Sequence, residues 1–258
     1  MPITSLYEQE DLLTHKYLAF FMGFSFSVIG IFFSLFLFPE NPGIVAVAFS
    51  SMMFLTVFKY FFDIVKSYYD LIDYYIDLFE LYIFLFFGAF AAFMIFAIML
   101  PELATTTFFK EQMRIFGISR LGTLTSTGLS TGLAFASADF LSILSNNLVV
   151  YLFCFVVAFI FGSGAIFLLI WNASVWGTLF GFTMQRLDAR SSTLLLLSIL
   201  PHTFLEVSSY VLAAISGIVL SSIISKKEMF NKKNFIIFIS AMLIAVLLLI
   251  IAALVEVI

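Results

Sequence analysis

A single cysteine in 258 residues, Cys154, excludes an internal disulfide, and its apolar surroundings carry no information about redox compartment. Histidine is nearly as scarce, with only His15 and His202, and no H-E-x-x-H pattern occurs. No metal centre, cofactor or catalytic residue is therefore expected. Charged residues make up only 11% of the chain, and their balance is acidic, at -4. Nucleic-acid binding would require clustered Lys and Arg, so that partner class is excluded.

Apolar residues fill the space that charge leaves. The chain is 63% hydrophobic with a mean hydropathy of +1.15, against ~45–50% apolar residues in a soluble domain. Several apolar runs exceed the roughly 18 residues that mark a membrane-spanning helix. The 36 phenylalanines read as lipid-facing and core bulk. The expectation is an all-α, polytopic transmembrane bundle of six to seven spans in the cell membrane, one integral domain over residues 1–258. It includes an interfacial amphipathic helix and one kinked or broken span. Acidic Glu8, Glu10 and Asp11 precede the first apolar run, which lacks a cleavage-type exit and reads as a retained span.

Residues 1–100 divide into three spans, Lys16 to Phe38, Ile44 to about Tyr60, and Leu81 to Leu100, with a Pro/Gly turn over Pro39–Gly43. Between the second and third spans lies a polar line. Lys59, Asp63, Lys66, Asp70, Asp73, Asp77 and Glu80 alternate spacings of four and three, the signature of one helical face. The amphipathic segment 61–80 reads either as an interfacial helix with a solvated face or as a docking seam. Its face is mainly acidic, whereas in-plane lipid binders are basic. That makes Asp63, Asp70, Asp73, Asp77 and Glu80 candidates for docking a basic protein partner or a basic segment of the same chain.

Residues 101–140 form a connector rich in Gly, Ser and Thr, with Gly128 and Gly132 four apart; a re-entrant element carrying Asp139 is the alternative. A core of spans follows over 141–258. Span four, Leu141 to Phe161, opens with Asn146 and Asn147. Gly162-Ser163-Gly164 is a break, and span five, Ala165 to Met184, holds Asn172, Gly177 and Gly181. The two glycines allow tight helix contact, and Asn172 is expected to hydrogen-bond across helices, because lipid offers it no partner.

The span Thr193 to Ile223 carries the strongest signal. Ionisable side chains inside a membrane-grade segment face a protein interior or a water-filled cavity. Ser198, His202, Glu206 and Ser209 are spaced 4, 4 and 3 and form a single polar stripe, structural or ion- and proton-carrying. Pro201 removes a backbone donor, and a kink or break is expected there. Lys226, Lys227, Lys232 and Lys233 form a basic hinge before the last span, Asn234 to about Val257. With seven spans, seven of the twelve basic residues fall on the side of the N-terminus, which the positive-inside rule then places in the cytoplasm. In that arrangement the acidic line and the lysine hinge share a side and are expected to pair.

The residues from 141 onward resemble the stage II sporulation protein M family, in its archaeal branch. The resemblance rests on Asn146-Asn147, Gly162-Ser163-Gly164, Asn172 with Gly181, and above all Pro201-His202-Thr203-Phe204-Leu205-Glu206. Tyr7-Glu8-Gln9-Glu10-Asp11 before the first span and the Pro-Gly turn also fit. Family members often have Gly after the His, where this chain has Thr203. The resemblance implies an integral membrane protein without known catalysis. A relative in sporulating bacteria is a membrane scaffold for a peptidoglycan-degrading machine during engulfment. A non-enzymatic, homo-oligomeric scaffold in the lipid bilayer is the first expectation; the second is a transporter or channel using His202 and Glu206 for protons or cations.

Overall fold

The computed structural model describes residues 15–68, 70–100, 109–115, 140–225 and 231–257. Among them every regular element is helical: α1 (Leu18–Leu37), α2 (Pro42–Tyr68), α3 (Leu71–Met99), a short α4 (Lys110–Ile115), α5 (Phe140–Phe161), a 3-10 turn (Gly162–Gly164), α6 (Ala165–Met184), α7 (Ala189–Ser225) and α8 (Lys232–Val257). Five stretches are long and apolar enough to cross a membrane: Leu18–Leu37, Leu71–Met99, Ile143–Met184, Arg190–Ser225 and Lys232–Glu256. The protein is a multi-pass helical membrane protein.

Cross-helix contacts set the direction of each helix. Lys16 reaches Asp77 and Glu80, and Phe32 meets Phe96, so α1 runs parallel to α3. Gly177 lies against Phe90 and Met94, and Gly181 against Met94 and Ile98, so α6 is also parallel to α3. Tyr75 meets Ser216 and Phe87 meets Phe204, which makes α7 antiparallel to α3. Asn147 with Glu206, and Phe155 and Phe159 with Gly217, make α5 parallel to α7. Hence α5 and α6 oppose one another, and the Ile143–Met184 stretch reverses at the glycine turn. Gly162 adopts φ of 60°, a left-handed conformation that costs glycine little. A Cβ on Gly164 would crowd the Phe161 Cβ at 2.9 Å. Both glycines of the expected break are thus used.

Small residues bring the first helices together. The buried face of α1 is Ala19, Gly23, Ser27, Gly30, Ile31 and Ser34, while Phe21, Phe32, Phe33 and Phe36 point outward. In lipid the apolar effect does not drive helices together, so close backbone approach and dispersion must do so. Gly23 and Gly88 supply it between α1 and α3, Gly88 lying directly against the Phe20 carbonyl.

Three boundaries differ from the sequence expectation. Helix α2 begins at Pro42, where a missing N–H costs nothing at the first helical position, and it runs to Tyr68 instead of ending near Tyr60. The polar line of 61–80 is therefore divided between α2 and α3. Asp70 ends the division, its side chain accepting from the Leu71 N–H at 2.8 Å as the N-cap of α3. Helix α7 passes through Pro201 as one 37-residue helix rather than breaking before it. At ~1.5 Å per residue it reaches about 55 Å, well beyond a hydrocarbon core of ~30 Å.

Only a short part of the connector is described. Its described part, 109–115, enters the bundle: Phe109 is fully buried against Phe93 and Gln112 is fully buried too. Gly128, Gly132 and Asp139 lie outside the described residues.

Candidate functional site

The polar stripe of α7 resolves into two faces. Glu206, 3% exposed, accepts a hydrogen bond from Asn147 Nδ2 of α5 at 2.5 Å. One turn earlier, His202 is also buried, hydrogen-bonds the Ser198 backbone of its own helix, and lies edge-on to Trp176 of α6 at 6.0 Å between ring centroids. Among the described residues no ion pair joins His202 to Glu206. The two groups share one helix but serve different neighbours. Ser198 is exposed and takes part through its backbone; Ser209 is fully buried, its hydroxyl without a hydrogen-bond partner among the described residues.

The remaining candidates separate in the same way. Asn147 is buried in the Glu206 contact, whereas its neighbour Asn146 is exposed. Among the described residues Asn172 makes no hydrogen bond to another helix: its Nδ2 donates to the Leu168 carbonyl of its own helix at 2.8 Å. An amide one turn on from a carbonyl satisfies itself locally, so the expected partnership with another helix is not made. Gly177 and Gly181 hold α6 against the backbone of α3, a Cβ on Gly177 standing 2.5 Å from the Phe90 carbonyl oxygen.

Internal lysines account for most of the acidic line. Lys16 Nζ is 2.6 Å from both Asp77 Oδ1 and Glu80 Oε2, and Lys233 Nζ is 2.8 Å from Asp70 Oδ2. The lysine hinge thus meets the acidic line through Lys233. Lys226, Lys227 and the Asp63 side chain lie outside the described residues. Asp73, in the first turn of α3, faces outward. Three of the five proposed docking carboxylates are therefore already paired within the chain.

The Asp70 pair sits outside the spans and is accessible to pH. The Lys233 ammonium and the Leu71 N–H hold the Asp70 carboxyl below its ordinary value. A depressed carboxylate adds stability that is full above the ordinary value near 3.8 and disappears as pH falls through the lowered one. Melting in detergent should therefore lose a component at the acid end, and Asp70→Asn should flatten that limb while leaving the neutral region little changed. An acid limb identical in the variant would show that the pair contributes nothing.

Several residues were not singled out from the sequence. Glu256 of α8 is near enough to interact electrostatically with Glu206 and Tyr210, which makes a second carboxylate at the α5–α7–α8 junction. The signal was present, a carboxylate inside the last apolar run, as for Glu206. Tyr151 donates to Met242 Sδ at 3.2 Å, and Tyr75 to Ser216 Oγ at 3.1 Å. Gln185 Nε2 lies 2.5–2.8 Å from the carbonyl oxygens of Ala97, Ile98 and Leu100. It caps the carbonyls that the end of α3 leaves without donors. Among the described residues no group of three or more His, Cys, Asp or Glu could hold a metal ion.

No curated protein and no solved structure matches the chain. The family model of stage II sporulation protein M matches residues 81–258. That span begins inside α3, sixty residues before the segment that carried the sequence resemblance, and it takes in both helices that α7 and α6 need as neighbours. With the Asn147–Glu206 contact, the glycine reversal and the α3–α6 glycine seam all inside the match, the chain belongs to the stage II sporulation protein M family.

Proposed function

We propose that this protein is a non-enzymatic membrane scaffold that assembles with copies of itself and gathers partners at the bilayer. The observation that carries this reading is the Asn147–Glu206 hydrogen bond, which uses the most costly side chain of the stripe to join α5 to α7. His202 is similarly engaged, between its own helix and Trp176. Groups tied up in helix-to-helix contacts suit a rigid platform. The acidic line supports the reading less than its sequence implied, because Lys16 and Lys233 neutralise much of it; among the described carboxylates of the line, outward-facing Asp73 is left for a basic partner.

A transporter or channel is the second reading, and one observation favours it. Glu256 of α8 is near enough to Glu206 to interact with it electrostatically, and intramembrane ionisable residues mark ion and proton paths in many membrane proteins. Sealed proteoliposomes with an entrapped pH dye and a panel of monovalent and divalent cations separate the two. The scaffold reading expects no flux from either wild type or Glu206→Gln. Flux in wild type that disappears in Glu206→Gln would overturn it in favour of transport.

A further inference from the structure

We infer that two copies of this chain meet along α5, with Asn146 of one copy hydrogen-bonded to Asn146 of the other. This rests on the reading of a self-assembling scaffold and names its interface. The two asparagines near the start of α5 point in opposite directions. Asn147, Tyr151, Cys154 and Ala158, spaced 4, 3 and 4, form the face buried in the bundle, where Asn147 is satisfied by Glu206. Asn146, Val149, Phe153, Val156 and Ile160, spaced 3, 4, 3 and 4, form the opposite face. All five are exposed, Phe153 and Ile160 by 60% and 61%. The Asn146 carboxamide has no hydrogen-bond partner among the described residues. Depth makes that costly. The Asn147–Glu206 contact sets Asn146 level with Glu206, and from Leu194, where the apolar part of α7 begins, to Glu206 is about 18 Å at ~1.5 Å per residue. Lipid offers a carboxamide no partner there.

The occupant of this face is a second copy, for reasons of symmetry and chemistry. Chains inserted in one direction all present α5 with the same polarity. A twofold axis along the membrane normal therefore sets two α5 helices parallel and at equal depth, so that each residue faces its own counterpart. A carboxamide carries both donor and acceptor, and two Asn146 side chains on the axis satisfy one another reciprocally. The alternating spacing is that of a parallel, left-handed helix pair, with Asn146, Phe153 and Ile160 at a positions and Val149 and Val156 at d positions. One Asn at an a position fixes register and partner number in such pairs. Interhelical hydrogen bonds of this kind hold helices together where apolar area alone gives no driving force. The strip points away from α7 and α8, so a second copy seats on it without disturbing the contacts of Asn147 and Tyr151.

Two measurements on the full-length protein test this. Förster transfer between donor- and acceptor-labelled copies in liposomes, followed as lipid is added, reports self-association. Asn146→Leu should weaken it about tenfold, the scale of one or two interhelical hydrogen bonds. Asn146→Gln, which retains donor and acceptor, should keep most of it. Oxidation in membranes of the expressing host gives the second readout. On a Cys154→Ala background, Val149→Cys should form a disulfide-linked dimer and Leu243→Cys, on the exposed face of α8, should not. An absence of transfer in wild type would overturn both this inference and the self-assembly on which it rests. Transfer equally strong in Asn146→Leu, or crosslinking at Leu243→Cys in place of Val149→Cys, would overturn the inference alone and leave self-assembly to another face.

Discussion

Alanine at Gly181 is expected to push α6 off α3 and destabilise the bundle by about 1–3 kcal/mol or more, the range for forcing atoms into a well-packed interior. A Cβ there meets the Met94 carbonyl oxygen and stands 2.6 Å from the Ala97 Cβ. Neither neighbour is the flexible end of a side chain, so helix axes must move apart. Gly177 faces the same backbone one turn earlier, against Phe90. Gly177→Ala and Gly181→Ala together should therefore cost more than either alone and reduce the monodisperse fraction on size exclusion. Leu243→Ala, on the exposed face of α8, is the control. Melting temperatures for the glycine variants equal to wild type would mean that α3 and α6 are not in close backbone contact.

The Asn147–Glu206 contact should yield the next largest effect, with a pattern that distinguishes a hydrogen bond from simple packing. Glu206→Ala leaves the Asn147 amide buried without an acceptor and Asn147→Leu leaves the carboxyl without its donor, each costing about 1–3 kcal/mol. Glu206→Gln retains a carbonyl acceptor at the same position and should lose little. Replacing both, as Asn147→Leu with Glu206→Met, removes the unsatisfied groups together and should cost less than the sum of the single changes. Additive losses across this double-mutant cycle, measured by thermal or chemical unfolding in micelles, would show that the two residues act separately.

Much of this architecture was legible from residue pattern because lipid restricts the options. A spanning backbone must satisfy its own hydrogen bonds, so apolar runs bounded by Pro, Gly and charge translate directly into helices. The Gly162–Gly164 break, the close approach at Gly177 and Gly181 and the burial of Glu206 in the protein interior followed from such local signals. Their neighbours did not. Spacing places His202 and Glu206 on one helix, yet only the three-dimensional arrangement assigns one to Trp176 of α6 and the other to Asn147 of α5. The polar line at 59–80 misled for a related reason. The 4-3 spacing runs on through the break between α2 and α3, and the cue to the break was Asp70, a residue well suited to an N-cap. Asn172 was misread because a side-chain amide can satisfy itself on its own helix, an option that spacing does not reveal.

The glycine turn between α5 and α6 also bears on how the chain is made. Helices α1 to α3 emerge first, but the face of α3 formed by Phe90, Met94 and Ala97 is completed only by α6, a helix from the other half of the chain. Between them, in order of synthesis, comes α5, whose own neighbours α7 and α8 are not yet made. The nascent protein must therefore hold one uncovered surface and one unattached helix in the bilayer until the reversal at Gly162 brings α6 back. Neither half can be finished before the other has begun, and this interleaving makes the membrane unit a single object although it is assembled from two groups of helices.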